Sequence, residues 1–132
     1  MGMEQRVEFG PGGCPLWSDV ASLLARSGFA VQIRMIDDQL AFPDETPPET
    51  WRELRVGTLG GMVTVRRDGN GVWVVTWGNA DTAMRKAWNA LTWAFAETAK
   101  GTVITPAGPL PAQDYLDRES LPFPASRTDP GQ

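Results

Sequence analysis

The sequence predicts an α+β domain: a largely antiparallel sheet of four to six strands, one long helix over residues 81–100 packed on a face, and a short N-terminal helix. Three observations predict it. First, Met84, Ala87, Trp88, Leu91, Ala94, Phe95 and Thr98 recur at steps of three and four, which makes one face of a helix. Second, residues 62–67 and 72–77 are rich in β-branched side chains. Asp68-Gly69-Asn70-Gly71 between them is a hairpin turn, because Asn and Gly accept positive φ. Third, most of the connections between strands are short, and short connections join antiparallel neighbours.

In chain order, residues 1–15 read as irregular, since Gly10, Pro11, Gly12, Gly13 and Pro15 break any element. Val7 and Phe9 form a short edge strand just before that break. Residues 18–27 form a short helix with Ser18 as its cap, Asp19 at its positive end, and Val20, Leu23 and Leu24 on its apolar face. Gly28 stops it. Residues 29–36 make a strand, with Phe29, Val31, Ile33 and Met35 pointing one way and Gln32 and Arg34 the other. Asp37-Asp38 turns the chain, and residues 40–42 return as a second short strand that Pro43 ends.

Residues 43–50 are a proline-rich acidic loop. Thr46 and Glu49 have capping-box spacing and Pro47 suits a first helical position, so a single helical turn is expected there. Residues 52–58 alternate Leu54 and Val56 with charge, as a strand does, and Gly60-Gly61 turns it. Both faces of strand 72–77 are apolar, which places it centrally, with Trp73 and Trp77 in the core. The long helix takes Asn79 or Asp81 as its cap and Gly101 as its left-handed C′ residue. Its 18 or so residues make a rod of roughly 27 Å. Residues 102–105 are a last strand. Pro106, Pro109 and Pro111 hold an extended wrap, and residues 113–119 make a short helix. The domain spans 1–121, and the polar, proline-rich tail 122–132 is expected to be disordered.

A chain of 132 residues is one domain, and 42% apolar content with six Trp and five Phe supports one core. The net charge of −4 argues against nucleic acid as a partner. That charge is uneven. Residues 37–53 carry Asp37, Asp38, Asp44, Glu45, Glu49 and Glu53 against Arg52 alone, while residues 54–100 carry an excess of bases. Cys14 is the single cysteine, so an internal disulfide is excluded and a reducing cytoplasm is the expected compartment. The start lacks a basic stretch followed by an apolar run, and no window approaches 18 apolar residues. Neither a signal peptide nor a membrane span is expected.

Histidine is absent. Its absence removes Ser-His-Asp and Cys-His nucleophile systems, the usual base near neutral pH, and the common zinc ligand sets. The glycine-rich run 57–61 lacks the Lys-Ser/Thr ending of a phosphate loop and reads as a hairpin turn. The expectation is therefore a non-catalytic, cofactor-free module that binds a basic protein. The residues expected to meet that partner are Asp37, Asp38, Phe42, Asp44, Glu45, Glu49, Trp51 and Trp93. Trp93 lies on the helical wheel opposite Leu91 and Phe95, among Arg85, Lys86, Asn89, Glu97 and Lys100. A large aromatic there is either a contact hot spot or lies under the C-terminal segment through Tyr115, Leu116, Leu121 or Phe123. Trp51, beside the acidic loop, either anchors that loop or rims an acidic patch.

In size, acidity and Trp-rich α+β build the chain resembles small acidic bacterial immunity proteins, which bind and block a toxic enzyme. That resemblance implies that Asp37, Asp38, Asp44, Glu45 and Glu49 mimic substrate phosphates toward a nuclease. The chain is also similar to small acidic type III secretion chaperones, which run α-β-β-β-α-β-β-α and work as dimers. This likeness implies an apolar dimer surface on the long helix, involving Trp93, so a homodimer is left open. A third resemblance rests on Pro43-Asp44 followed by Glu53-Leu54-Arg55, which is similar to the PD-(D/E)xK nucleases. It implies Mg²⁺ held by Asp44 and Glu53, with Arg55 in place of the family's lysine. Arginine stays protonated and cannot serve as a base.

Overall fold

The long helix is where expected, and it is buried more completely than its pattern implies. In the computed structural model, which describes residues 2–77 and 81–119, this helix (α2) spans Thr82–Ala99. The Asp81 carboxylate accepts the Met84 N–H at 2.9 Å and caps it. Asn79, the other candidate cap, lies outside the described residues, as does the tail 122–132. At the far end Lys100, not Gly101, takes the left-handed conformation (φ 52°). Gly101 is needed for a different reason: a Cβ there would sit 2.0 Å from the Glu8 carbonyl oxygen.

The remaining elements are β1 (Gly2–Glu8), α1 (Trp17–Arg26), β2 (Gln32–Ile36), β3 (Gln39–Leu40), β4 (Glu53–Thr58), β5 (Gly61–Asp68), β6 (Gly71–Trp77), β7 (Thr102–Thr105), β8 (Gly108–Pro111) and α3 (Ala112–Arg118). The strands form one open antiparallel sheet of eight, in the order β3-β2-β4-β5-β6-β1-β7-β8. The expectation of four to six strands falls short because β1 and β8 were not recognised as full members. β1 is no edge strand: it pairs with β6 along its whole length and with β7 on its other side. β8 reads Gly-Pro-Leu-Pro, a poor strand sequence. Its register sets Pro109 opposite Ile104 and Pro111 opposite Thr102. At those positions a backbone N–H would point away from β7, so proline loses nothing there.

The strand periodicity holds with one interruption. Ile33 and Ile36 both reach the core, because Arg34 is an extra residue that shifts the β2–β4 register between Ile33 and Met35. Met35 therefore leaves the face it was assigned. Thr46 and Glu49 form no helical turn, and instead the Glu45 carboxylate accepts the Phe42 N–H at 3.1 Å. The N-cap of helix α1 is Leu16, which makes no side-chain cap bond, so Ser18, already inside the helix, is not its cap. Gly28, at φ 82°, ends it as expected.

All three helices lie on one face of the sheet. Leu54, Val56, Val63, Val65, Val72, Val74 and Val103 point into that layer. Trp17 and Trp51 pack on Phe95 of α2 with ring centres 6.2 and 6.4 Å away. Residues 90–96 of α2 are all buried, about two full turns, because α1 and α3 flank the helix that the sheet already covers on one side. A polar knot runs through this layer. Gln5 donates to Asn89 Oδ1 and Thr92 Oγ1, both at 3.1 Å. The buried Tyr115 hydroxyl sits 2.8 Å from Gln5 Oε1 and 3.0 Å from Asn89 Oδ1. Burial pushes the Tyr115 phenol well above its ordinary pKa.

Removing this hydroxyl takes away the proton that serves Gln5 Oε1, while Asn89 Oδ1 keeps its bond from the Gln5 amide. Tyr115→Phe should therefore destabilise the fold by about 1–3 kcal/mol, and Tyr115→Ala by about 3–5 kcal/mol through the added cavity. Urea unfolding at neutral pH measures both.

Candidate partner-binding surface

The acidic loop hangs from a tight turn. Asp37 and Asp38, at φ 48° and 68°, make the two-residue turn between β2 and β3. The Asp37 side chain then serves the fold: its Oδ1 accepts the N–H groups of Arg52 at 2.7 Å and Glu53 at 2.8 Å. This ties the start of the loop to its end. Burial opposes the charge, but the two N–H bonds from Glu53 and Arg52, helped by the Arg52 and Arg67 guanidiniums, hold the carboxyl below the usual range. Asp37 is thus a brace for the loop, acting through one carboxylate oxygen.

Trp51 and Trp93 leave the expected surface. Each is only 2% exposed. Trp51 is the anchor of the loop: the Arg67 guanidinium lies 5.1 Å over its ring and donates to the carbonyls of Glu49 (2.6 Å) and Trp51 (2.9 Å). Trp93 lies within the run of α2 that α1, α3 and the sheet enclose, so no dimer surface opens there. Of its expected cover, Tyr115 and Leu116 are buried in α3, while Leu121 and Phe123 lie outside the described residues.

The other five expected residues are exposed. Asp38 has Arg55 at 4.0 Å. Asp44, Glu45 and Glu49 have no Lys or Arg within ion-pair distance among the described residues. Phe42 is 75% exposed, and Leu40 beside it is 89% exposed. Residues 38–49 therefore expose two large apolar side chains and four carboxylates. Leu40 was not among the expected contacts, because in a short strand at 40–42 nothing in the spacing distinguishes it as exposed. The two-residue length of β3 leaves it in water.

Under the loop is a cavity of about 390 Å³, lined by Cys14, Trp17, Pro47, Glu49, Trp51 and Arg67 among others. Burial raises the Cys14 thiol above its ordinary pKa, and Arg67 only partly offsets this. At neutral pH it is a protonated, poor nucleophile. Glu53 lies on the opposite face of the sheet, 3.6 Å from Arg55 and 3.9 Å from Arg66. Among the described residues, no three His, Cys, Asp or Glu side chains gather to hold a metal ion. No described helix is long and apolar enough to cross a membrane.

The bare face of the sheet is the other surface that the sequence reading missed. Trp73 and Trp77, expected in the core, point to it. Trp77 is 60% exposed. Trp73 donates its indole N–H to Asp68 at 3.1 Å and lies under the Arg6 guanidinium, 5.3 Å from the ring centre. Their strand is central, as expected, yet the apolar pattern on both its faces does not mean cover on both. Comparison with protein-family models, with curated proteins and with solved structures finds no match.

The lowered Asp37 pKa has a consequence with a definite sign. The charged carboxylate stabilises the fold at pH values above the unfolded pKa of about 3.9, and that contribution is lost as pH falls through the lower folded value. Asp37→Asn keeps the acceptor and tolerates the positive φ but cannot titrate. Its urea midpoint should fall less between pH 6 and pH 3 than that of the unaltered chain.

Proposed function

We propose that this chain is a non-catalytic protein-binding module whose acidic loop grips a basic protein. Leu40 and Phe42 supply the apolar centre of the contact, and Asp38, Asp44, Glu45 and Glu49 its charged rim. One observation carries this reading: within residues 40–49 two large apolar side chains stand in water, and the same short segment exposes three carboxylates with no cation at ion-pair distance among the described residues. Each such side chain gains about 1.5–3 kcal/mol when a partner covers it. Surplus negative charge around it speeds encounter with a basic partner and selects for one. A bacterial immunity protein, which blocks a toxic nuclease by placing carboxylates where substrate phosphates would lie, works in this way.

A secretion chaperone is the second reading. The β7–β8 hairpin and α3 that follow α2 favour it, since that architecture ends in the same way. Against it, α1 is followed by five strands, and the helix surface such a dimer would use is covered within one chain.

Affinity capture with the full chain separates these readings. A single stoichiometric basic partner, released by salt, is the expected result. Phe42→Ala should weaken its binding at least ~10-fold, and Asp44→Lys with Glu45→Lys should slow association. Capture of several unrelated secreted proteins through extended segments would favour the chaperone. Cleavage of nucleic acid by the purified chain with Mg²⁺, lost in Asp44→Ala with Glu53→Ala, would overturn both in favour of the nuclease.

A further inference from the structure

The helices leave one whole face of the sheet uncovered by any described element. We propose that this face is the interface of a homodimer, in which two copies pack sheet on sheet about a two-fold axis running along β5. The argument comes from how charge and shape are distributed on either side of that strand.

On the β2–β4 side, Arg34 and Arg55 outnumber Glu53, and on the β1 side, Glu4 and Glu8 outnumber Arg6. Most of these charges are spent within the chain. Glu53 takes Arg55 and Arg66, while Arg6 takes Glu8 at 2.7 Å and Asp68 at 3.6 Å. Arg34 and Glu4 remain, both exposed, with no ion-pair partner among the described residues. They lie at nearly one level of the sheet. The registers align Met35, Arg55, Thr64, Val75 and Glu4 in a single row, and Arg34 is the bulge residue next to Met35. Arg34 on β2 and Glu4 on β1 are each two strands from β5. A two-fold axis along β5 keeps each row and exchanges the two sides. It therefore brings Arg34 of one copy onto Glu4 of the other, twice per dimer.

The next row fits the same axis. Gly57 on β4 pairs with Met62 on β5, and Trp77 on β6, two residues past the last β5–β6 pair Thr64–Val75, continues the ladder toward the same level on the other side. The operation sets the exposed Trp77 of one copy over Gly57 of the other. Gly57 has no side chain to obstruct it. The Arg34 side chain lies across that glycine, its Nε 2.8 Å from where a Cβ would be. The indole would thus cover a guanidinium, a favourable cation–π pairing. Met62 meets its counterpart on the axis, as does Arg66, which Glu53 partly neutralises. Strands in the two copies run in line, as they do in aligned sheet packing. Five strands at ~4.8 Å and seven residues at ~3.3 Å give a footprint of roughly 550 Å² before side-chain relief, approaching the ~800 Å² per partner of standard interfaces.

Sedimentation equilibrium on the full chain tests this. The expected species has twice the 14.4 kDa chain mass. Trp77→Ala and Arg34→Glu should each raise the dissociation constant at least ~10-fold. Arg34→Glu combined with Glu4→Arg should restore it to within about threefold, since the pair meets only across the axis. Both charge swaps are at exposed positions, and circular dichroism verifies that the variants fold. A full chain that stays monomeric at ~100 µM would overturn the proposal. So would a dimer that Arg34→Glu leaves intact, or one that the double swap fails to rescue.

Discussion

The Tyr115 hydroxyl joins three elements far apart in the sequence. Through Gln5 and Asn89 it links the first strand, the long helix and the last helix. Thr92 and Trp88 extend the same path: Thr92 donates to the Trp88 carbonyl at 2.8 Å, and the Trp88 indole donates to the Val74 carbonyl at 2.7 Å. An apolar layer alone would let α2 slide over the valines of the sheet. Buried amides and hydroxyls that must find one another do not tolerate such slippage, since each missed bond costs about 1–3 kcal/mol. The layer therefore has one register, and α3 closes over α2 only in that register.

Placing every helix on one side follows from the connections. Two-residue hairpins join β2 to β3, β4 to β5 and β5 to β6, so those turns leave no room for a crossing helix, and the longer segment 41–52 between β3 and β4 contains no helix. Helices enter only at α1, α2 and α3, and α2 draws the other two against it. The opposite face is left to flat, charged and aromatic side chains. Val75 shows the effect: it is fully buried yet stands outside the helix-side core, roofed by its own neighbours on the bare face.

Much of this was legible in the sequence. Periodicities of three-four and two located α2, β5 and β6, because burial on one face writes itself into side-chain spacing. Trp93 was harder. On a wheel it falls among charged residues, and only the arrival of α1 and α3 turns that side of the helix inward. The reverse error occurred at Trp77, where an aromatic strand residue was read as core although no described element came to cover it. β1 was hidden because Glu4, Arg6 and Glu8 alternate with Gln5 and Val7, so its inward face is only partly apolar. Of the acidic loop, exposure at Asp38, Phe42, Asp44, Glu45 and Glu49 was foreseen. The bracing role of Asp37 was not, since it depends on backbone N–H groups fifteen and sixteen residues away.

The two prolines of β8 have an effect on the chain's fate in a crowded solution. With Pro109 and Pro111 at the outward positions, that margin of the sheet offers carbonyls but no donors there, so another strand cannot dock along it in register. Recruitment into cross-β stacks is left to the opposite margin. There the strand is only two residues long and begins beside a turn of two aspartates. An eight-stranded ribbon with both rims blunted in this way is a poor seed for fibre growth.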